Sequence, residues 1–429
     1  MRPTLLFALV AGLILGTGFV QSWNSALVLL NMGLVSAIMA LGVNLQWGLA
    51  GLFNVGVMGF VAVGGLAVVL VSMPPVAEAW SAGGARVLAA LTFAALVLGA
   101  SVLCWTRARR GVRGWITAAL LVAGLVIFRM LLDPATAAIE GVSPATTGYL
   151  GGLGLPVLIA WPVGGLLAAG AAWLIGKTAL GLRSDYLAIA TLGIAEILVA
   201  VMKNEDWLAR GVKNVIGLPR PVPYEIDLQQ DAGFVARAAE VGLDPITAST
   251  LTVKLGYGLL FTAVLIVLLV LAQLALNSPW GRMMRAIRDN ETAARAMGKN
   301  VTARHLQVFV LGSAICGLAG AMMTTLDGQL TPGTYQPLRF TFLVWVMVIL
   351  GGSGNNLGAV LGGFLIWFLW VQVEPIGQAV MGLITAGMAD GSALKAHLQD
   401  SVQHMRLLTM GVILLIVLRF APRGLLPGR

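Results

Sequence analysis

Apolar residues along this chain gather into runs separated by short polar or glycine-rich stretches. The runs cover 4–21, 25–43, 51–71, 87–105, 115–132, 156–176, 185–202, 254–276, 306–325, 339–351, 357–373 and 405–420. Roughly 20 helical residues cross a hydrocarbon core of ~30 Å. The pattern therefore predicts an all-α, polytopic transmembrane helical bundle of about 10–12 spans, with short helices outside the bilayer. The 339–351 run is short for a crossing, which suggests a broken or re-entrant element. The first run follows Arg2 in the manner of a signal peptide, but its length and the absence of a small-residue cleavage site favour an uncleaved span.

Composition agrees. Hydrophobic residues make up 58% of the chain and charged residues 10%, with a mean hydropathy of +0.90; soluble domains carry about 25% charge. A net charge of +9 would suit nucleic acid, but the basic residues sit in short stretches beside apolar runs, the positive-inside pattern of a membrane protein. Arg107, Arg109, Arg110 and Arg113 place the 107–113 turn in the cytoplasm. Alternation then puts 177–184, 278–304, the Arg419–Arg429 tail and both termini on the same side. The opposite loops are acidic or balanced: 203–253 holds seven acids against five bases and 374–404 three against one. The whole of 1–429 is expected to form one transmembrane domain, with 203–253 as an extracytoplasmic loop that serves either as a partner-facing surface or as a solvated connector. Cys104 and Cys316 imply no disulfide framework, and His305, His397 and His404 share no ligand spacing, so no metal site is expected.

The 278–304 stretch, SPWGRMMRAIRDNETAARAMGKNVTAR, is the longest strongly basic polar segment. Arg282, Arg285, Arg288, Arg295, Lys299 and Arg304 face only Asp289 and Glu291. Asp289 or Asn290 can cap a second short helix running to Met297, and Gly298 suits the left-handed position past its end. Short surface helices between two spans imply a docking partner. Within the apolar runs, Asp185 and Glu196 are eleven residues apart in GLRSDYLAIATLGIAEI and so share one helical face. Some 16 Å along the axis separates them, too far for a general acid/base pair. Each either reaches water or pairs with Arg183 or Lys203 near a helix end, or else lines a solute path or meets a facing subunit. In NLQWGLAGLFNVGVMGF, Asn44, Gln46 and Asn54 stand among Gly48, Gly51, Gly56 and Gly59, a composition for close helix packing or for a broken helix that presents backbone groups. GGSGNNLG at 351–358 has no following Lys and no preceding strand, and predicts a tight helix–helix turn. GAAWLIGKT at 170–178 ends like a phosphate-binding loop, but its first Gly is one residue too early and the run is a membrane helix. No ATP site of the chain's own is expected.

The segment GRMMRAIRDNETAARAMGKNVTARHLQVFVLGSAICGLAGAM resembles the cytoplasmic coupling region of ABC importer permeases, and more narrowly the M-type permease subunit of branched-chain amino acid importers. Glu291, Ala293, Ala294 and Gly298 match the family's short EAA-like signature. LRSDYLAIATLGIAEI, the glycine-rich 48–65 region and VMVILGGSGNNLGAVLGG agree in order along the chain. The resemblance implies a bacterial inner-membrane subunit that pairs with a second permease and two cytoplasmic ATP-binding subunits. It also implies solute delivery by a periplasmic substrate-binding protein. ATP and Mg would be held by the partner ATPases, with no cofactor on this chain and no nucleic acid among its partners beside the lipid bilayer. Carried over by residue, Arg285, Arg288, Asp289, Glu291, Ala293, Ala294 and Gly298 belong to the ATPase-coupling helix. Asn44, Gln46, Asn54, Gly56, Asp185, Tyr186, Thr191 and Glu196 line or support the translocation path. The sequence departs from the family at Val57 and Met58, where a small polar residue is commoner, at Asn355 and Asn356, and in a longer 106–150 stretch that suggests an extra pair of helices.

Leucine, isoleucine and valine are the solutes the resemblance implies. Related urea permeases share the same blocks, so urea or a short amide is the alternative. A stand-alone secondary transporter would also have about twelve spans and would use Asp185 or Glu196 for coupling. A membrane-embedded enzyme would need a convergent catalytic constellation, and the sequence offers no His/Asp cluster or activated nucleophile.

Overall fold

The computed structural model describes residues 2–107, 111–181, 184–388 and 392–428. Arg109, Arg110, Arg183 and Arg429 lie outside the described residues. Each apolar run becomes a helix, and among the described residues nine helices are long and apolar enough to cross a membrane. Two more, Val57–Ser72 and Leu338–Gly351, are apolar but shorter, and the last apolar helix is Val402–Phe420. One two-residue antiparallel ladder, Val215–Ile216 against Gln329–Leu330, and an isolated bridge between Pro75 and Gly151 are the exceptions to an all-α architecture among the described residues.

Small residues set the centre of the bundle. Val301–Asp327 runs between Val157–Ala179, Val57–Ser72 and Trp23–Asn44, and packs closely on all three. A Cβ at Gly64 would collide with the backbone of Gly317, and one at Gly320 with the backbone of Val61, so Val57–Ser72 and Val301–Asp327 touch main chain to main chain. Met39 accepts from Cys316, and Gln46 reaches Phe309, which makes Trp23–Asn44 antiparallel to Val301–Asp327. Phe60 lies against Phe309 and Gly64 against Gly317, which makes Val57–Ser72 parallel to it. The chain therefore reverses between residues 50 and 56, inside the bundle.

Arg113–Glu140 and Ala77–Arg107 pack on one another as a peripheral hairpin with a small core of Val87, Ala90, Leu132, Ala135 and Ile139. Within 106–150 the described residues form one long helix, Arg113–Glu140, and not the expected pair; its partner precedes that stretch. Leu150 and Trp207 join the hairpin to the bundle, and most of its leucines face outward, as a lipid-facing surface requires.

Segment 203–253 is folded over much of its length. Asp206–Ala209, Glu225–Gln230 and Ala232–Glu240 are helical, and Lys213 pairs with Asp206 at 2.8 Å and Arg220 with Glu225 at 2.9 Å. Pro245 is the first residue of a helix, not a loop residue: Asp244 caps it by accepting from Ile246 and Thr247, and proline fits where no donor is needed. Asn356–Thr385 likewise continues through Pro375, well beyond the predicted end at 373. The pairing of Val215–Ile216 with Gln329–Leu330 sets part of the acid-rich 203–253 segment at the end of Val301–Asp327 opposite the 278–304 segment.

Gly317→Leu should force Val301–Asp327 away from Val157–Ala179, because the new side chain would meet Ala168 and the Gly164 carbonyl. It is expected to cost on the order of 1–3 kcal/mol or more, read as a lowered thermal midpoint in detergent by intrinsic fluorescence, whereas Gly99→Leu on the outward hairpin should leave the midpoint unchanged.

Candidate functional site

Three caps shape the polar 278–304 segment. Ser278 Oγ accepts from Gly281 N at 3.3 Å, with Pro279 in the first helical position, and opens Pro279–Asp289. Asn290 Oδ1 accepts from Ala293 N at 2.9 Å and opens Glu291–Ala296; of the two residues able to cap it, Asn290 does. Gly298 takes φ +76°, and Asn300 then caps Val301–Asp327. Met284 and Ile287 bury one face of the first helix against the bundle. Beside that face, Met283, Ala286, Ile287, Ala293, Ala294 and Met297 line an apolar groove of about 330 Å³, with Met297 80% exposed. Glu291 is spanned by Arg295 at 2.6 Å, which holds the second helix straight.

Two arginines fix the segment to the membrane helices by capping their C-terminal ends, where carbonyl groups lack intrahelical partners. Arg285 donates to Leu276 O at 3.4 Å, near the end of Pro245–Asn277. Arg288 donates to Gly48 O at 2.6 Å, in the π turn Leu45–Leu49 that finishes the Trp23–Asn44 helix, and also pairs with Asp289. Gly48 has no room for a Cβ, because Asn44 and Gly354 lie directly against it. Asn44 Oδ1 accepts from Gly354 N at 2.8 Å and its Nδ2 donates to Asn356 Oδ1 at 3.0 Å. Three stretches that are far apart in sequence, 44–60, 278–304 and 351–358, therefore meet at one junction. The 351–358 stretch is the tight turn its glycines predicted, and Asn355 is the cap of the helix that follows, accepting from Leu357 and Gly358.

Beyond the junction, a buried set of hydrogen bonds holds the chain reversal. Gln46 Nε2 donates to Phe309 O at 2.9 Å and Ser313 Oγ at 3.0 Å, while its Oε1 accepts from Asn54 at 2.9 Å. Asn54 Oδ1 accepts from Gly56 N, Thr191 Oγ1 from Val55 N and Thr341 Oγ1 from Met58 N. Trp345 donates its indole N–H to Asn54 O at 2.9 Å and stacks edge-on with Trp47 and Phe53. Asn44, Gln46 and Asn54 thus spend their hydrogen-bonding groups inside the protein, which makes them braces of the reversal in this arrangement. Ser313, Thr341 and Trp345 are members of the set that the sequence did not single out; a hydroxyl within an otherwise apolar run was the signal available.

The Ser184–Asn204 helix divides the remaining candidates between two faces. Thr191 points inward at 2% exposure, whereas Asp185, Tyr186 and Glu196 all lie on the outward face together with Ile189 and Ile197. Asp185 and Glu196 share a face, as their spacing requires, and it faces away from this chain's own core. Near the foot of this helix, Leu187, Phe53 and Gly51 join Glu291, Arg295 and His305 around a polar hollow of about 260 Å³. Among the described residues no three His, Cys, Asp or Glu side chains converge.

Residues 116–418 match the family described as branched-chain amino acid transport system / permease component. Similar proteins include the high-affinity branched-chain amino acid transport system permease protein LivM of Escherichia coli, 27% identical over 271 residues that cover 62% of this chain and 56% of the relative. The probable branched-chain amino acid transport permease protein LivM of Methanocaldococcus jannaschii is 27% identical over 154 residues, 36% of this chain and 41% of the relative. The xylose transport system permease protein XylH of Escherichia coli is 24% identical over 263 residues, covering 57% and 53%. The chain spans about half the length of the curated relatives it matches. No solved structure matches it.

Gln46→Leu would strand the Asn54 amide and the Ser313 hydroxyl in the core. A loss of about 1–3 kcal/mol is expected, seen as a lowered thermal midpoint; Tyr186→Phe on the outward face should leave the midpoint of the isolated chain unchanged.

Proposed function

The chain belongs to the branched-chain amino acid transport system permease family, and from that premise we propose that it is one permease subunit of an ATP-driven importer. Its solutes are leucine, isoleucine and valine, carried across a bacterial inner membrane. The single observation that carries the mechanism is the apolar groove on the 278–304 segment, rigidly tied through Arg288 to Gly48 at the foot of the innermost helices. A cytoplasmic ATPase that grips the groove moves the membrane core with it.

The partners follow from the surfaces. Two ATPases hold ATP and Mg and engage 278–304 and its counterpart. A second permease covers the outward face of Ser184–Asn204, because a carboxyl group such as Glu196 within a span is costly against lipid. The solute path then runs between the two subunits along Asp185, Tyr186 and Glu196, and the braced residues Asn44, Gln46 and Asn54 support it from behind. The folded 203–253 segment at the other end is the surface for a periplasmic binding protein. The basic 278–304 and C-terminal segments put both termini in the cytoplasm. Family relatives named for xylose and fructose indicate that the scaffold serves more than one solute, and the binding protein supplies most of the selectivity.

In proteoliposomes holding the assembled importer, Glu291→Lys is expected to lower ATP-dependent leucine uptake by at least tenfold while leaving the amount of inserted chain unchanged. Gly298→Leu should act in the same direction through its φ of +76°. Normal uptake in both variants would remove the docking assignment. Co-purification from mild detergent with no ATPase and no second permease would overturn the importer reading as a whole.

A further inference from the structure

A groove on the outer surface of the bundle lies between Val157–Ala179, Pro245–Asn277 and Val301–Asp327, with Leu45 of the braced stretch also in its wall. Its deep part, of about 510 Å³, is walled by Pro162, Leu166, Leu268, Leu271 and Leu318 and is almost wholly apolar. It exists because Gly165, Ala272, Ala275 and Ala314 stand where larger side chains would fill the space. Trp280 and Leu311 continue it into a second hollow of about 500 Å³, bounded by Trp173, Leu306 and Gln307.

The mouth of this second hollow is cationic. Lys177 Nζ stands 3.9 Å from the centre of the Trp173 ring. Gln307 Oε1 accepts from Arg304 at 2.9 Å and from the Trp280 indole at 3.3 Å, which leaves the Gln307 amide N–H groups to donate outward. Among the described residues neither Lys177 nor Arg304 forms an ion pair with a carboxylate. Two indoles beside a boundary of apolar wall and basic rim mark the depth at which lipid headgroups meet acyl chains. Cations between spanning helices at that depth suit an anionic phosphate, and a zwitterionic headgroup brings a cation of its own that they repel.

We propose that this groove is an anionic phospholipid site. One acyl chain lies in the apolar channel between the three helices, and the phosphate rests on Lys177, Arg304 and the Gln307 amide. Trp280 is the second residue of Pro279–Asp289, so the bound lipid bears directly on the coupling segment and steadies its seat.

The test is native mass spectrometry of the delipidated full chain in a neutral maltoside detergent. The protein is titrated with dioleoyl phosphatidylglycerol or with dioleoyl phosphatidylcholine. Two cations at the rim predict a preference of roughly thirty-fold for the anionic lipid. Lys177→Gln with Arg304→Gln should reduce that preference below threefold while phosphatidylcholine binding stays as it was. Leu311→Trp, which fills the channel, should remove binding of both lipids, and glycerol 1-phosphate, lacking acyl chains, should not displace the bound lipid. Equal binding of the two lipids by the unmodified chain, or an unchanged preference in the double variant, overturns the proposal. So does efficient cross-linking of Leu166→Cys to a second permease in membranes, because protein would then cover the groove.

Discussion

Between Ala50 and Gly56 the backbone leaves one helix, turns back and enters another, with Leu52, Asn54 and Gly56 buried. Gly51 is exposed on the polar hollow, but the buried peptide groups must find partners within the protein. Thr191 accepts from Val55 N, Asn54 Oδ1 from Gly56 N, and Trp345 donates to Asn54 O. Gln46 holds the Asn54 side chain, and Thr341 accepts from Met58 N just beyond the turn. The arrangement of the inner bundle depends on this requirement. The reversal fixes Trp23–Asn44 antiparallel and Val57–Ser72 parallel to the same central helix, and the glycines at the crossings allow all three to sit close enough for the side-chain bonds to reach.

The same requirement explains how a surface segment is tied to the interior. The π turn that ends Trp23–Asn44 leaves a carbonyl at Gly48, and Arg288 satisfies it from outside the bundle. Asn44 ties the neighbouring 351–358 turn to the same spot. Force on the Pro279–Asp289 helix therefore reaches the foot of Trp23–Asn44 through the charge-assisted Arg288–Gly48 contact and reaches the core through the buried Met284 and Ile287. The outward-facing Asp185, Tyr186 and Glu196 lie on a helix that touches this braced unit at Thr191, so a shift of the unit reaches the face where a second subunit would sit.

The existence of the helices was legible because apolar runs of spanning length have few other folds open to them, and the cap at Asn290 was legible, as one of two choices, because short polar side chains start helices by a local rule. The turn at 351–358 followed from its glycines. The junction was not legible: Arg288 looked like one of several surface cations, and only the folded chain brings it against Gly48. Nor could the sequence separate Thr191 from Tyr186. Both lie on one amphipathic helix, and periodicity gives a face without saying which neighbour covers it. The folding of 203–253 was hidden by its prolines, of which Pro245 begins a helix, and by a two-residue pairing with Gln329–Leu330 across more than a hundred residues.

The central claim is that the coupling segment and the foot of the inner helices move as one body. Its most direct test is a pulsed electron paramagnetic resonance distance between spin labels at the exposed positions Met297 and Leu357. Cys104 and Cys316 would be replaced and the importer assembled with its partners, then measured with and without ATP and Mg. The account predicts one narrow distance that changes by no more than about 2 Å, while the distance from Met297 to a label on the facing permease shifts with nucleotide. A Met297–Leu357 distance that itself splits or moves by much more on adding nucleotide would contradict it.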